Sequence, residues 1–229
     1  MLEEIHKKFK LLSKRNIVEY NQKLVPNCKK VYGVSIPLLR KLAKEIISMD
    51  YTLFLKVCDG SSFELQLLEG YVIAGAKLSV QERLNYLETY IPKLENWAMC
   101  DGLVASLKCT KKHSHEMFYL VEQFKHSKKE FEVRFVAVFL MSYYLKDDTV
   151  EQAVTIVENL YLHAYYAKMG VAWFIATLMV KYPKYAIQMI QNPKMDKWTI
   201  HKAILKMKES YRISNIELNQ YLNNLKPSI

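Results

Sequence analysis

The 229-residue sequence predicts an all-α chain, built as an α-solenoid of paired helices. Three observations carry that expectation. Apolar residues recur with a 3.6-residue period along almost the whole chain, and no run alternates as a half-buried strand would. Only 6 Gly and 6 Pro occur, too few for the many turns of a sandwich. Long apolar helices are also expected to begin near Phe63, Trp97, Glu132, Tyr166 and Lys197, at spacings of 34, 35, 34 and 31 residues. Shorter helices lie between them, at Val80–Tyr90, Ser114–Phe124, Val150–Leu160 and Tyr185–Ile190. A helix pair repeating at that period buries its apolar face only by stacking on its neighbours. Such stacks curve, and the long second helices of successive pairs line the concave surface.

In chain order, Leu2, Ile5, Phe9 and Leu12 form a first amphipathic stripe that ends near Asn16 to Asn21. Val25-Pro26-Asn27-Cys28 breaks the pattern, and a loop through Tyr32-Gly33-Val34-Ser35 follows. Ser35, with Pro37 two residues on, opens a helix over Leu38–Met49, whose apolar stripe is Leu39, Leu42, Ala43, Ile46 and Ile47. Phe54–Val57 reads as a short helix and Phe63–Leu78 as a longer one. Capping boxes then mark helix starts at Ser79…Glu82, Ser127…Glu130 and Ser214…Glu217, with Asp148…Glu151 as an Asp version. Pro92, Pro183 and Pro193 fall between periodic segments. Residues 1–229 read as one repeat domain.

Composition narrows the function classes. No apolar run is long enough to span a membrane, and the N-terminus lacks a secretory apolar core. Cys28, Cys58, Cys100 and Cys109 show no Cys-x-x-Cys spacing, so they read as reduced thiols of a cytoplasmic protein. Lys and Arg number 33 against 23 acidic residues, a net charge of +10. Such an excess points to a polyanion partner, nucleic acid first, with a solvated lysine-rich surface as the plain alternative. His113 and His115 lack a second ligand cluster and read as a loop before a helix, so no metal is expected. The sequence has no phosphate loop, nucleophile elbow or Gly-rich fingerprint.

The unusual residues sit on the long helices. Trp97 and Asp101 are four apart, which on a helix stacks them on one face. The packing alternative puts Trp97 in the core and Asp101 at the cap of a helix running to Leu107. Arg134 is a lone guanidinium in the apolar run Val133 to Leu140, and Trp173 stands in the apolar run Val171 to Ala176. Their packing alternatives are a buried ion pair with Asp101 or Glu132, and simple core burial.

Trp97-x-x-x-Asp101, then Arg134, then Trp173, on successive inner helices, resembles the AlkD family of DNA alkylation-repair glycosylases, made of HEAT-like repeats. The similarity extends to Tyr32-Gly33-Val34-Ser35-Ile36-Pro37-Leu38-Leu39-Arg40, to Tyr166 through Trp173 with Lys181-Tyr182-Pro183, and to Lys202-Ala203-Ile204. It covers about residues 30 to 212. The resemblance implies a curved right-handed superhelix with a concave cleft for duplex DNA, working as a monomer without metal or cofactor. It implies hydrolysis of the N-glycosidic bond of purines alkylated at N3 or N7, without a base-flipping pocket. By position, Asp101 matches the catalytic carboxylate, Trp97 and Trp173 the two cleft tryptophans, and Arg134 the arginine on the DNA backbone.

The chemistry supports these roles on its own terms. Glycosidic cleavage builds positive charge on the deoxyribose, which a nearby carboxylate stabilises while orienting water. Indole faces add a favourable quadrupole interaction with the same cation. An alkylated purine is already a good leaving group. Arg134 would hold a phosphate, and Ser35 and Ile36 would offer backbone N–H groups to another at a helix start. Lys108, Lys111 and Lys112, with Lys125, Lys128 and Lys129, fall at helix ends where a duplex would meet them. The rival readings are a non-catalytic HEAT-repeat protein binding damaged or branched DNA, and a protein–protein scaffold.

Overall fold

The computed structural model describes residues 1–213, which form helices joined by short connections. Among them no strand occurs, only an isolated parallel bridge between Lys30 and Ser62. The chain groups into two compact units, Met1–Met117 and a second beginning at Phe118.

The first unit contains α1 (Leu2–Leu12), α2 (Arg15–Leu24), α3 (Ile36–Met49), α4 (Tyr51–Val57), α5 (Phe63–Gly75), α6 (Val80–Tyr90), α7 (Trp97–Ser106) and the single turn α8 (Ser114–Met117). Short 3-10 turns cover Ile91–Lys93 and Lys108–Lys111. α5 packs between α3 and α7, and every residue from Phe63 to Ala74 is buried. A helix flanked on two sides is mostly apolar all round, and its few polar residues, Glu64, Gln66 and Glu69, are buried with the rest.

Three boundaries differ from the sequence expectation. The first amphipathic stripe is two helices, because the Lys14 N–H donates to the Gly33 carbonyl at 3.0 Å and the Ser13 hydroxyl donates to the Tyr32 carbonyl. α3 begins at Ile36, two residues before the expected Leu38, with Pro37 in its first turn. α5 stops at Gly75, short of Leu78. Its last carbonyls accept instead from the buried Arg83 guanidinium, at 2.8 Å to Ala74 and 2.8 Å to Ala76. At the start of α6 the expected capping box is complete: Ser79 Oγ accepts from the Glu82 N–H, and Glu82 accepts from the Ser79 N–H at 2.8 Å.

The second unit contains α9 (Tyr119–Phe124), α10 (Glu130–Tyr143), α11 (Val150–Glu158), α12 (Tyr165–Lys181), α13 (Pro183–Gln191) and α14 (Lys197–Lys208). The break at Phe118 divides the expected Ser114–Phe124 helix into α8 and α9. α12 packs against α10 on one side and α14 on the other, with α11 and α13 forming the outer pair. Gly170 permits that approach: a Cβ there would lie 3.3 Å from Arg134 Cγ. The five long helices start at Phe63, Trp97, Glu130, Tyr165 and Lys197, close to the expected repeat. The fold is an all-α solenoid of packed helix pairs.

Two expected capping boxes do not form. Ser127 Oγ donates to Glu132 at 2.7 Å, and Glu130 instead accepts from the Tyr166 N–H at 2.6 Å, tying α10 to the start of α12. Before α11 the N-cap is Thr149, not Asp148, and its hydroxyl donates to the Tyr144 carbonyl at 2.8 Å. The Ser214…Glu217 box lies outside the described residues.

α14 is capped by Asp196, which accepts from the Thr199 N–H and hydroxyl at 2.8 Å each and pairs with Lys168 at 3.0 Å. Partial burial disfavours the charged carboxylate, but these bonds outweigh it and hold Asp196 below the ordinary carboxylate range. A depressed folded-state pKa contributes stability that is full above the unfolded value of about 3.9 and lost as pH falls through the folded one. Asp196→Asn is therefore expected to lower the melting temperature at neutral pH and to flatten the acid limb of its pH profile. An unchanged acid limb would contradict this.

Candidate functional site

α7 carries the central pair. Its N-cap is Asn96, whose side chain accepts from the Met99 N–H at 3.0 Å. Asp101 therefore does not cap this helix, as the packing alternative had it; it stands one turn in, half-buried, on the face of Trp97. Trp97 is half-buried as well, and its indole N–H donates to the carbonyl of Leu24, the last residue of α2, at 3.1 Å. The following loop supports this contact. Asn27 sits in the left-handed region (φ 50°) and donates from its side chain to the Glu95 carbonyl at 3.4 Å.

The neighbourhood of Asp101 holds groups the sequence did not single out. A Cβ on Gly102 would lie 3.0 Å from the Tyr71 hydroxyl, so α7 and α5 approach closely one residue from Asp101. Burial pushes the Tyr71 phenol above its ordinary pKa, against the opposing charge of Arg40, so it stays a neutral hydroxyl at neutral pH. The Arg40 guanidinium lies 4.5 Å from the Tyr71 ring centroid and donates to Ser106 Oγ at 2.8 Å. Tyr71 looks like an ordinary apolar-helix residue in sequence, and Arg40 like the last residue of the segment 32–40; their pairing across helices gives both a place beside α7.

The loop before α3 is built on another residue missed in the sequence, Glu64. This carboxylate is fully buried at the start of α5 and accepts from the backbone N–H groups of Tyr32, Gly33 and Val34 at 3.0, 2.8 and 3.3 Å. Gly33 has φ +84°, and a Cβ on it would lie 2.5 Å from the Lys14 carbonyl oxygen, so only glycine fits. The loop delivers Ser35 to the N-cap of α3, where its side chain makes no capping bond, and exposes the Ile36 side chain. Lys108, Lys111 and Lys112 are exposed on and just after the 3-10 turn that follows α7.

In the second unit Arg134 is 7% exposed and donates from Nη1 to the Tyr166 carbonyl at 3.0 Å. Glu132 takes Lys129 at 3.0 Å and the Ser127 hydroxyl. Lys125 pairs with Glu122 at 2.6 Å. Trp173 is 40% exposed on α12, so core burial, its packing alternative, does not hold. It borders an open groove of about 580 Å³, lined also by Thr177, Lys181, Lys206 and Arg212. The candidate residues thus form two groups: Ser35, Ile36, Trp97, Asp101 and the three lysines in the first unit, Arg134 and Trp173 in the second. Among the described residues no three His, Cys, Asp or Glu side chains gather as a metal site would require. Among them, too, no helix is long and apolar enough to cross a membrane.

A family model described as DNA alkylation repair enzyme matches residues 5–207. The chain belongs to that family. No curated protein matches it. All the candidate residues fall within the matched span, and family membership makes DNA the substrate of a repair enzyme.

For a DNA alkylation repair enzyme the cysteines bear on mechanism, since taking an alkyl group onto the protein needs a thiolate. Burial, reinforced by Glu64, pushes the Cys28 thiol up to about 11. Burial, reinforced by Glu69, pushes Cys58 up to about 12. Both are neutral thiols at neutral pH and poor acceptors, Cys100 is fully buried in α7, and Cys109 is half-buried in the 3-10 turn that follows.

Proposed function

We propose that the protein is an alkylpurine DNA glycosylase, hydrolysing the N-glycosidic bond of N3- or N7-alkylated purines in duplex DNA. The observation that carries this reading is the α7 pair: a half-buried carboxylate one turn from an indole whose ring is oriented by a backbone hydrogen bond. Asp101 stabilises the cationic deoxyribose as the C1′–N bond breaks and orients the water that attacks C1′. The released purine leaves with the bond's electron pair, which neutralises its formal charge, and the DNA keeps an abasic site. Trp97 presents its ring face to the developing cation, and Trp173, in the second unit, offers an exposed indole to the DNA. The Arg134 guanidinium, oriented by the Tyr166 carbonyl, places positive charge at a backbone phosphate, and no flipped-base pocket is required. The chemistry uses no metal or cofactor, and residues 1–229 act as one repeat domain, as a monomer and in the cytoplasm.

Single-turnover release of 7-methylguanine from methylated duplex DNA tests the reading. Release above the spontaneous rate supports it. Salt-dependent duplex binding with no release would replace it with the non-catalytic DNA-binding reading.

Docking in this reading uses the first-turn backbone N–H groups at Ser35 and Ile36, together with Lys108, Lys111 and Lys112. Replacing the three lysines by Ala is expected to lower the slope of log K against log salt by about 2–3, since each phosphate that a lysine neutralises adds about 0.9 to it. An unchanged slope would remove these lysines from the interface.

A further inference from the structure

The long helices of the second unit each carry an aromatic residue at their first or second position: Phe131 is the second residue of α10, Tyr165 the first of α12 and Trp198 the second of α14. Together with Tyr166 they form a continuous ladder of rings. Centroids lie 5.5 Å apart for Phe131–Tyr166, 4.9 Å for Tyr166–Tyr165 and 5.5 Å for Tyr165–Trp198. The ladder starts in the core and surfaces at Tyr165: Phe131 is buried, Tyr166 and Trp198 are half-buried and Tyr165, between those two, is 55% exposed. Packing alone does not account for an exposed ring such as Tyr165 within this row.

Cations flank Trp198, the ring next to Tyr165. Lys168 Nζ lies 5.8 Å and Lys202 Nζ 5.4 Å from the Trp198 ring centroid, and Lys197 is exposed beside it. The nearby carboxylates are engaged: Asp196 by Thr199 and Lys168, Glu130 by the Tyr166 N–H. The starts of α12 and α14 add the positive ends of two helix dipoles.

We propose that this edge is a stacking platform for unpaired nucleotides of DNA, separate from the α7 pair. A duplex hides its base faces and offers this edge only phosphates. An unpaired base offers a π-face to Tyr165 and Trp198, while its phosphate meets Lys202 and Lys197. The ligand is single-stranded DNA beside a duplex, as in a gap or overhang. The inference rests on DNA as the family's substrate and not on the glycosylase chemistry.

The test compares, by fluorescence anisotropy without any lesion, a blunt duplex and the same duplex bearing a short thymidine overhang. The wild type is expected to bind the overhang substrate about tenfold more tightly, the range of one stacked base. Tyr165→Ala with Trp198→Ala removes that preference and leaves blunt-duplex affinity unchanged, while Trp198→Phe retains most of it. Lys202→Glu, a partly exposed charge reversal, narrows the preference in an otherwise intact protein. A wild type with no overhang preference overturns the proposal. So does equal weakening toward both substrates in a double variant that still melts cooperatively. Displacement of the overhang by an acidic peptide at comparable affinity would assign the edge to a protein partner instead.

Discussion

Replacing Asp101 by Asn is expected to slow single-turnover release of an N7-alkylated guanine by about a hundred- to a thousandfold, with little change in duplex affinity. The substitution keeps the shape and removes the charge that opposes the developing deoxyribose cation. It leaves the helix intact, because Asn96 and not Asp101 caps α7. A purely structural role predicts the reverse pattern, in which the melting temperature falls and any residual activity tracks the folded fraction. Circular dichroism melting beside the kinetics separates the two. Undiminished release by a folded Asp101→Asn variant would dismiss the carboxylate from the chemistry.

The second large effect is on stability. Glu64→Ala leaves the backbone N–H groups of Tyr32, Gly33 and Val34 without their acceptor beneath a buried loop. Each stranded donor costs about 1–3 kcal/mol, and breaking up a buried charged cluster costs about 3–5 kcal/mol in all. The expected loss is about 3–5 kcal/mol, a large share of a typical domain's stability of about 5–15 kcal/mol. Urea unfolding measures it, and Glu64→Gln, which keeps one carbonyl acceptor, should lose less. A loss below about 1 kcal/mol for the alanine variant would mean that water satisfies the loop equally well. Because this loop sets the start of α3, the proposed docking of phosphate at Ser35 and Ile36 should weaken in step.

Features legible in the sequence are those decided by near neighbours. The 3.6-residue period places the long helices to within two residues, and the Ser79…Glu82 box forms because both partners lie in one turn. The Trp97–Asp101 face follows from helix geometry in the same way. Illegible features are those decided by a partner far along the chain. The break after α1 depends on the Gly33 carbonyl, and the orientation of Trp97 on Leu24, 73 residues away; the end of α5 depends on the Arg83 guanidinium of the next helix. Ser127 and Glu130 have the spacing of a capping box, yet Glu132 and the Tyr166 N–H compete for them successfully. Glu64 resembles any first-turn glutamate until the loop folds over it, and Arg40 and Tyr71 gain meaning only when their helices meet.

The central claim is that the alkylated base leaves whole, and the fate of the alkyl group tests it most directly. A duplex carrying 7-methylguanine with an isotopically labelled methyl group is incubated with the protein, and DNA, protein and small molecules are separated. The account predicts that the label leaves in free 7-methylguanine, with one abasic site formed for each base released. Label on the protein, or guanine restored in an intact strand, would contradict it.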